Sequence, residues 1–175
     1  MTTAYDEQFR LQTAIYFGDT SIDGQPIDWR WFKAQAMAES GLDPKAISRH
    51  SARGIMQMMP PTFAECKREL SLPDADPFDP LVGIKFGIYY DWKMWRIWAK
   101  ENGLERLRFM FAAYNAGAGN IIKAQRLASP THLWWAVAKE LPRITGRGNA
   151  RETEQYVKRI EAFHRQLCGT SRGQE

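Results

Sequence analysis

Apolar residues recur at three- and four-residue steps along nearly the whole chain, and no sustained run alternates Val, Ile or Thr with polar residues. A three-to-four-residue period lines up one face of a helix, whereas a strand needs a period of two. The spacing therefore predicts an all-α, or nearly all-α, fold. A chain of 175 residues can bury a core around a cleft without cross-links, so one domain is expected over 1–175. Within it, 1–27 reads as an N-terminal packing segment, 28–167 as the core and 168–175 as a frayed tail.

Local signals place the helices. Residues 5–17 put Phe9 and Tyr16 on one stripe, and the Gly/Asp-rich GDTSIDGQP that follows ends any helix. Asp28 is a plausible cap for a helix running to about Ser40, with Phe32, Ala36 and Glu39 on one face. In SARGIMQMMPPTF, Pro60 and Pro61 close one short helix and can begin another. Asp79-Pro80 starts the longest helix, carrying Leu81, Ile84, Ile88, Trp92 and Trp95. Asn102-Gly103 breaks the chain before a helix with Leu104, Leu107, Phe111 and Tyr114, which stops in the glycine-rich AYNAGAGN. A last helix over about 151–167 aligns Glu152, Tyr156, Ile160, Phe163 and Leu167, and SRGQE beyond it looks frayed.

Composition narrows the function classes. The seven Trp and nine Phe suit a helical core, a groove that stacks on sugars, or both. A formal charge of +4 favours polyanions without choosing among nucleic acid, anionic lipid and wall polymer. Nucleic acid is disfavoured, because no basic stripe is interleaved with aromatics. No run is long and apolar enough for a transmembrane span, and the start of the chain lacks the pattern of an export signal. Cys66 and Cys168 stand in no CxxC or metal-like spacing and are expected to be unpaired thiols. The histidines His50, His132 and His164 stand singly, so neither metal nor cofactor is expected.

One carboxyl group stands out. Glu39 lies near the C-terminal end of its helix on the apolar face, where burial and the negative end of the helix dipole both favour the neutral acid. A protonated carboxyl is what a general acid needs to protonate a departing glycosidic oxygen. Taken alone, the same pattern describes a glutamate that turns outward to solvent. Asp74, Asp76 and Asp79 read as turn and cap residues rather than as a second catalytic carboxylate.

Four segments in order, the Glu-Ser of AMAESGLDPKAIS, then GIMQMMPPT, AAYNAG and ETEQYVKRI, carry a resemblance to the soluble lytic transglycosylase family of the lysozyme-like superfamily. Between the second and third, DPFDPLVGIKFGIYYDW is similar to the family's connecting helix, and the resemblance runs from about Asp28 to Ile160. It implies a lysozyme-like α-helical domain with a substrate cleft, with Glu39 as acid/base catalyst and Ser40 as the small polar residue after it. Ser48 and Gln57 match cleft residues that bond the sugar N-acetyl groups and main chain, and Met59 one that packs beside the glycan. Tyr114 and Asn115 match the glycan-contacting pair, Glu152 an acidic residue at the far side of the cleft, and Tyr156 the tyrosine whose hydroxyl steadies the catalytic Glu. Met56 reads as core. Two positions depart from the pattern: Ser51 stands where the family commonly has Gly, and Arg53 occupies a variable position.

The activity the resemblance implies is cleavage of the β-1,4 bond between N-acetylmuramic acid and N-acetylglucosamine, leaving 1,6-anhydromuramic ends. A single carboxylate suffices if the substrate's own acetamido oxygen attacks the anomeric carbon, an exception to the two-carboxylate scheme. The competing readings are a muramidase on the same fold and a non-catalytic wall-binding or virion module. The expected partner is the peptidoglycan glycan strand, bound by a monomer acting at the bacterial wall. With no export signal in the chain as given, delivery would fall to phage lysis, a virion, specialised secretion, or a longer parent protein. Lys158, Arg159 and Arg165 read as a solvated basic face that could supplement the hold on an anionic polymer.

Overall fold

The computed structural model describes residues 5–169. Among them are eight helices and one two-residue-per-strand hairpin, in the order α1 (Asp6–Phe17), β1 (Ser21–Ile22), β2 (Gln25–Pro26), α2 (Arg30–Ser40), α3 (Pro60–Glu69), α4 (Pro80–Ile97), α5 (Gly103–Ala116), α6 (Ala118–Leu127), α7 (Trp134–Thr145) and α8 (Arg147–Gly169). The nearly all-α expectation holds. The frayed SRGQE lies outside the described residues. The chain divides into two compact units, with α4 and α8 each contributing residues to both.

The first unit takes the chain up to Ser21, Pro26–Tyr90 and the chain from Ile160. Its core is built from Phe9, Phe17, Phe32, Ile55, Met56, Phe63, Ile84, Phe86 and Ile88, all buried. Phe17 meets Phe32 at 4.9 Å between ring centroids, which packs α1 on α2. Phe63 meets Phe86 at the same separation, joining α3 to α4. Gly87 is the reason Met56 fits, since a Cβ there would lie 2.7 Å from the Met56 side chain. A buried ion pair also joins α1 to α2, with Lys33 Nζ 2.6 Å from the Asp6 carboxylate.

The caps follow the local sequence. The Asp79 carboxylate accepts the Leu81 N–H at 2.8 Å and so begins α4. Asp28 works one residue earlier than a standard cap: α2 starts at Arg30, whose N–H donates to the Asp28 carboxylate at 3.0 Å. Pro60 and Pro61 start α3, where missing N–H groups cost nothing. No helix closes before them, against the sequence expectation. Instead, Ile47, Arg53 and Met58 pair as isolated antiparallel bridges, and Ser51, Gly54 and Gln57 all have positive φ. A helix cannot pass through three such residues.

The second unit takes Ile22–Gln25 and Asp91–Arg159. Its core gathers Trp95, Trp98, Leu107, Phe109, Phe111, Ile121, Trp134, Val137 and Leu141, all buried. Phe109 stacks on Trp98 and meets the Trp134 edge, so a single α5 residue anchors the turn that follows α4 and the start of α7. The glycine-rich break after α5 is one residue long: Gly117, with φ +83°, turns the chain directly into α6. Glu105 accepts the Trp134 N–H and thereby caps α7 from α5.

Candidate functional site

Glu39 occupies the last turn of α2 and is half-buried. Its position is set by how the helix ends. Gly41 takes the left-handed conformation, its N–H donates to the Met37 carbonyl, and the Leu42 N–H donates to the Ala36 carbonyl. This paired cap satisfies carbonyls that the helix end would otherwise orphan. Ser40 then ties the helix end down, its hydroxyl donating to the Ile55 carbonyl at 2.8 Å.

The loop that receives this bond is braced by the other predicted residues. The Ser48 hydroxyl accepts the Ala52 N–H at 3.0 Å, closing the 48–52 turn. Gln57 donates its carboxamide N–H groups to the Ala46 and Gly54 carbonyls, at 3.1 and 2.9 Å. Both Gln57 donors are thus spent on the loop, leaving Oε1 as the carboxamide atom that can accept from a ligand. Gly54 has φ +77°, and a Cβ there would stand 2.0 Å from the Pro77 carbonyl oxygen, so this position admits only glycine. Ser51, at φ +67°, adopts a conformation that glycine takes most readily, which gives physical sense to the glycine the family commonly places there. Met56 is wholly buried, as expected of core, while Met59 is 43% exposed. In the first unit, then, the helix end carrying Glu39 and Ser40 is bonded into the loop holding Ser48 and Gln57.

The remaining predicted residues lie in the second unit. Asn115, at the end of α5, accepts a hydrogen bond from the Thr153 hydroxyl of α8 at 2.8 Å. Tyr114 beside it is half-buried. Tyr156, one turn beyond Thr153, is 1% exposed. Glu152 is exposed, so it does not share the buried face of α8, which is formed by Thr153, Tyr156, Val157 and Ile160. Lys158, Arg159 and Arg165 are exposed, Lys158 pairing with Glu154 one turn away.

Two features escaped the sequence reading. Asp91 on α4 is wholly buried, whereas Asp74, Asp76 and Asp79, the aspartates weighed as a second carboxylate, are exposed. Its signal was its place on the Ile84, Ile88, Trp95 stripe. The second is His164, which does not stand singly. It lies one turn before Cys168 on α8, and both meet Asp28. Burial alone would raise the Asp28 acid, but hydrogen bonds from His164 and the Arg30 N–H, with the nearby Arg30 charge, outweigh it and hold the carboxyl at about 2. Burial pushes the Cys168 thiol up. Cys66 is buried, and neither cysteine is joined in a disulfide.

Comparison with known proteins places this helical chain, with its half-buried glutamate on a capped helix end, in a family. Residues 21–133 match the transglycosylase SLT domain, and the chain belongs to that family. It is similar to membrane-bound lytic murein transglycosylase F from Maricaulis maris, 29% identical over 164 residues, covering 86% of this chain and 35% of the relative. The protein of the same name from Haemophilus influenzae is 32% identical over 165 residues, covering 85% and 33%. The chain thus spans about a third of the length of these curated relatives. Its fold is similar to that of the 70-kDa soluble lytic transglycosylase of Escherichia coli, with a TM-score of 0.66 at 24% identity, over 95% of this chain and 25% of that one. Among the described residues no helix is long and apolar enough to cross a membrane.

Proposed function

We propose that this chain is a peptidoglycan lytic transglycosylase domain, cutting between N-acetylmuramic acid and N-acetylglucosamine, with Glu39 as its acid/base catalyst. Membership of the SLT family supports the activity. The observation that carries the residue assignment is the half-buried Glu39 on a helix end held by the Gly41 cap and the Ser40 to Ile55 bond. Catalysis by a positioned proton donor depends on such fixing of the donor.

In the first step Glu39 protonates the glycosidic oxygen as the bond to the muramic acid C1 breaks, and the 2-acetamido oxygen closes on C1. In the second, the Glu39 carboxylate takes the proton of the C6 hydroxyl, O6 displaces the acetamido oxygen at C1, and a 1,6-anhydro end results. The proton that leaves Glu39 is returned to it, and no water is consumed. Gln57 Oε1 and the Met59 thioether contribute glycan contacts, with Ser48 bracing their loop. Tyr114, Asn115 and Glu152 take glycan-contacting roles and Tyr156 a positioning role, as the resemblance implies. The chain acts as a monomer on the bacterial wall.

The test is mass spectrometry of soluble products from purified peptidoglycan, with Glu39→Gln as the blank. Muropeptides with anhydro ends from wild type, and none from a Glu39→Gln variant with an unchanged circular dichroism spectrum, are the expected outcome. Reducing ends would make the chain a muramidase. Turnover by the variant would remove Glu39 from the mechanism, and no products from folded wild type would favour a binding module.

A further inference from the structure

Three side chains with no part in the proposed reaction converge at the start of α2. The His164 Nε2 lies 3.2 Å from the Asp28 Oδ2, the Cys168 Sγ lies 3.6 Å from the same Nε2, and Sγ lies 3.7 Å from the same Oδ2. One nitrogen therefore faces both partners. A hydrogen-bonded relay would use both ring nitrogens of the histidine, one toward each partner.

The edge lengths point elsewhere too. An N···O separation of 3.2 Å stands at the long limit for a hydrogen bond. About a tetrahedral zinc ion, ordinary bond lengths to nitrogen, oxygen and sulfur give edges of roughly 3.3 Å for N···O, about 3.6 Å for N···S and about 3.5 Å for O···S. The three atoms already stand at nearly those separations. Among the described residues this is the grouping of three His, Cys or acidic side chains whose ligand atoms all lie within 4.8 Å of one another.

The surroundings are arranged as a metal site requires. Asp28 holds its second oxygen away from the cluster, with Oδ1 accepting from the Arg30 N–H at 3.0 Å and from Arg30 Nε at 3.2 Å. That fixes the carboxylate plane and leaves Oδ2 to the cluster, as outer partners do for ligating carboxylates. Trp31 stacks face to face on the imidazole, 3.6 Å between centroids and 3° from parallel, so the ring plane is set before any ion arrives. His164 and Cys168 are four apart on α8, the spacing that brings two side chains to one helix face.

The geometry points to a binding site for a borderline-soft divalent cation, zinc first, held by Asp28 Oδ2, His164 Nε2 and Cys168 Sγ, with water completing the tetrahedron. The bound ion clasps the start of α2 to the end of α8 and carries one exchangeable position. On binding, the thiol gives up its proton to solvent and sulfur takes the metal in its place. The site does not depend on what the chain cuts.

The test is titration of cobalt(II), a coloured substitute for zinc, into the chelator-treated protein. One equivalent should give the sulfur-to-cobalt charge-transfer band in the near ultraviolet and the visible bands of a tetrahedral site, and zinc should erase both. Cys66→Ser should keep the bands, Cys168→Ser should lose the charge-transfer band, and His164→Gln should weaken binding at least tenfold. Zinc should raise the Tm of wild type and leave that of Cys168→Ser unchanged. Cys168 sits near the end of the last helix, so its serine variant is the one expected to fold whatever Asp28 and His164 variants do. A folded wild type without the bands, or a charge-transfer band that survives in Cys168→Ser, overturns the site.

Discussion

Two glycines of the first unit show how differently one absent methyl group can matter. At Gly87 the added carbon would press on the side chain of Met56, at 2.7 Å from its nearest atoms. The Met56 Cγ and Cε can turn aside, but its Cβ, 2.9 Å away, moves only with the backbone, so Gly87→Ala should cost about 1–3 kcal/mol, the usual range for overpacking. At Gly54 the obstacle is the Pro77 carbonyl, 2.0 Å away, and the backbone is left-handed besides. Neither can yield locally, and the Gly54 N–H also donates to the Ala46 carbonyl in the loop that Gln57 braces. Gly54→Ala should therefore be the more destabilising of the two and should also impair turnover. Urea unfolding of both variants checks the order; an equal or smaller loss at Gly54 would contradict the account.

Between elements, the contact most open to dissection is the ion pair joining α1 to α2. Lys33 and Asp6 are 5% and 6% exposed in their side chains, so neither charge has water to fall back on. Removing one partner takes a buried ion pair from the other, which in such settings costs about 3–5 kcal/mol. Lys33→Met should lose that much stability by chemical denaturation. The double variant Asp6→Leu/Lys33→Met removes both charges and should recover most of it, since apolar replacement of a buried pair is often neutral. If the losses of the single variants simply add in the double, the pair is not coupled as the geometry states. α1 buries Asp6, Gln12 and Thr13 beside Phe9 and Phe17, so its inner face is mixed and its tie to α2 combines an ion pair with aromatic packing.

For the whole molecule, the relevant quantity is an excess of four positive charges, with exposed Lys158, Arg159 and Arg165 among its sources. Attraction of exposed charges to an anionic wall polymer is screened within a Debye length of about 10 Å at 0.1 M salt. If the chain cuts peptidoglycan as proposed, solubilisation of intact wall should slow as salt is raised from about 0.05 M to roughly 0.5 M, a range that shortens the Debye length several-fold. The Tm should stay nearly constant over the same range. A rate indifferent to salt would mean that the basic face has no part in holding the substrate.

The parts of the fold legible in the sequence were those whose causes are local. Helical spacing, the Asp79 cap, the Pro60-Pro61 start and the break at Gly117 each follow from a few neighbouring residues and are where the sequence predicts them, while Asp28 serves the start of α2 one residue early. Helices α6 and α7 went unassigned between the glycine-rich break and the last helix, because α6 follows one glycine after α5 and α7 takes its cap from Glu105, 29 residues earlier. The 51–58 segment reads as a short helix by composition. It becomes a bridged loop because Ser40, Gln57 and the Pro77 carbonyl, brought to it from other parts of the chain or turned back on it, favour positive φ over helix. Glu39 could be singled out from its helix face and motif, but its anchoring by Ser40 and the Gly41 cap is seen only in three dimensions. Asp28 and Cys168 are 140 residues apart in the chain, and nothing in either neighbourhood announces the other. The sequence by itself determined that the chain is helical and roughly where α1, α2, α4, α5 and α8 run, since that preference resides in the period and the caps. Which side chains meet was decided by tertiary packing alone, because contacts over such separations arise only when buried surfaces select one arrangement of the helices.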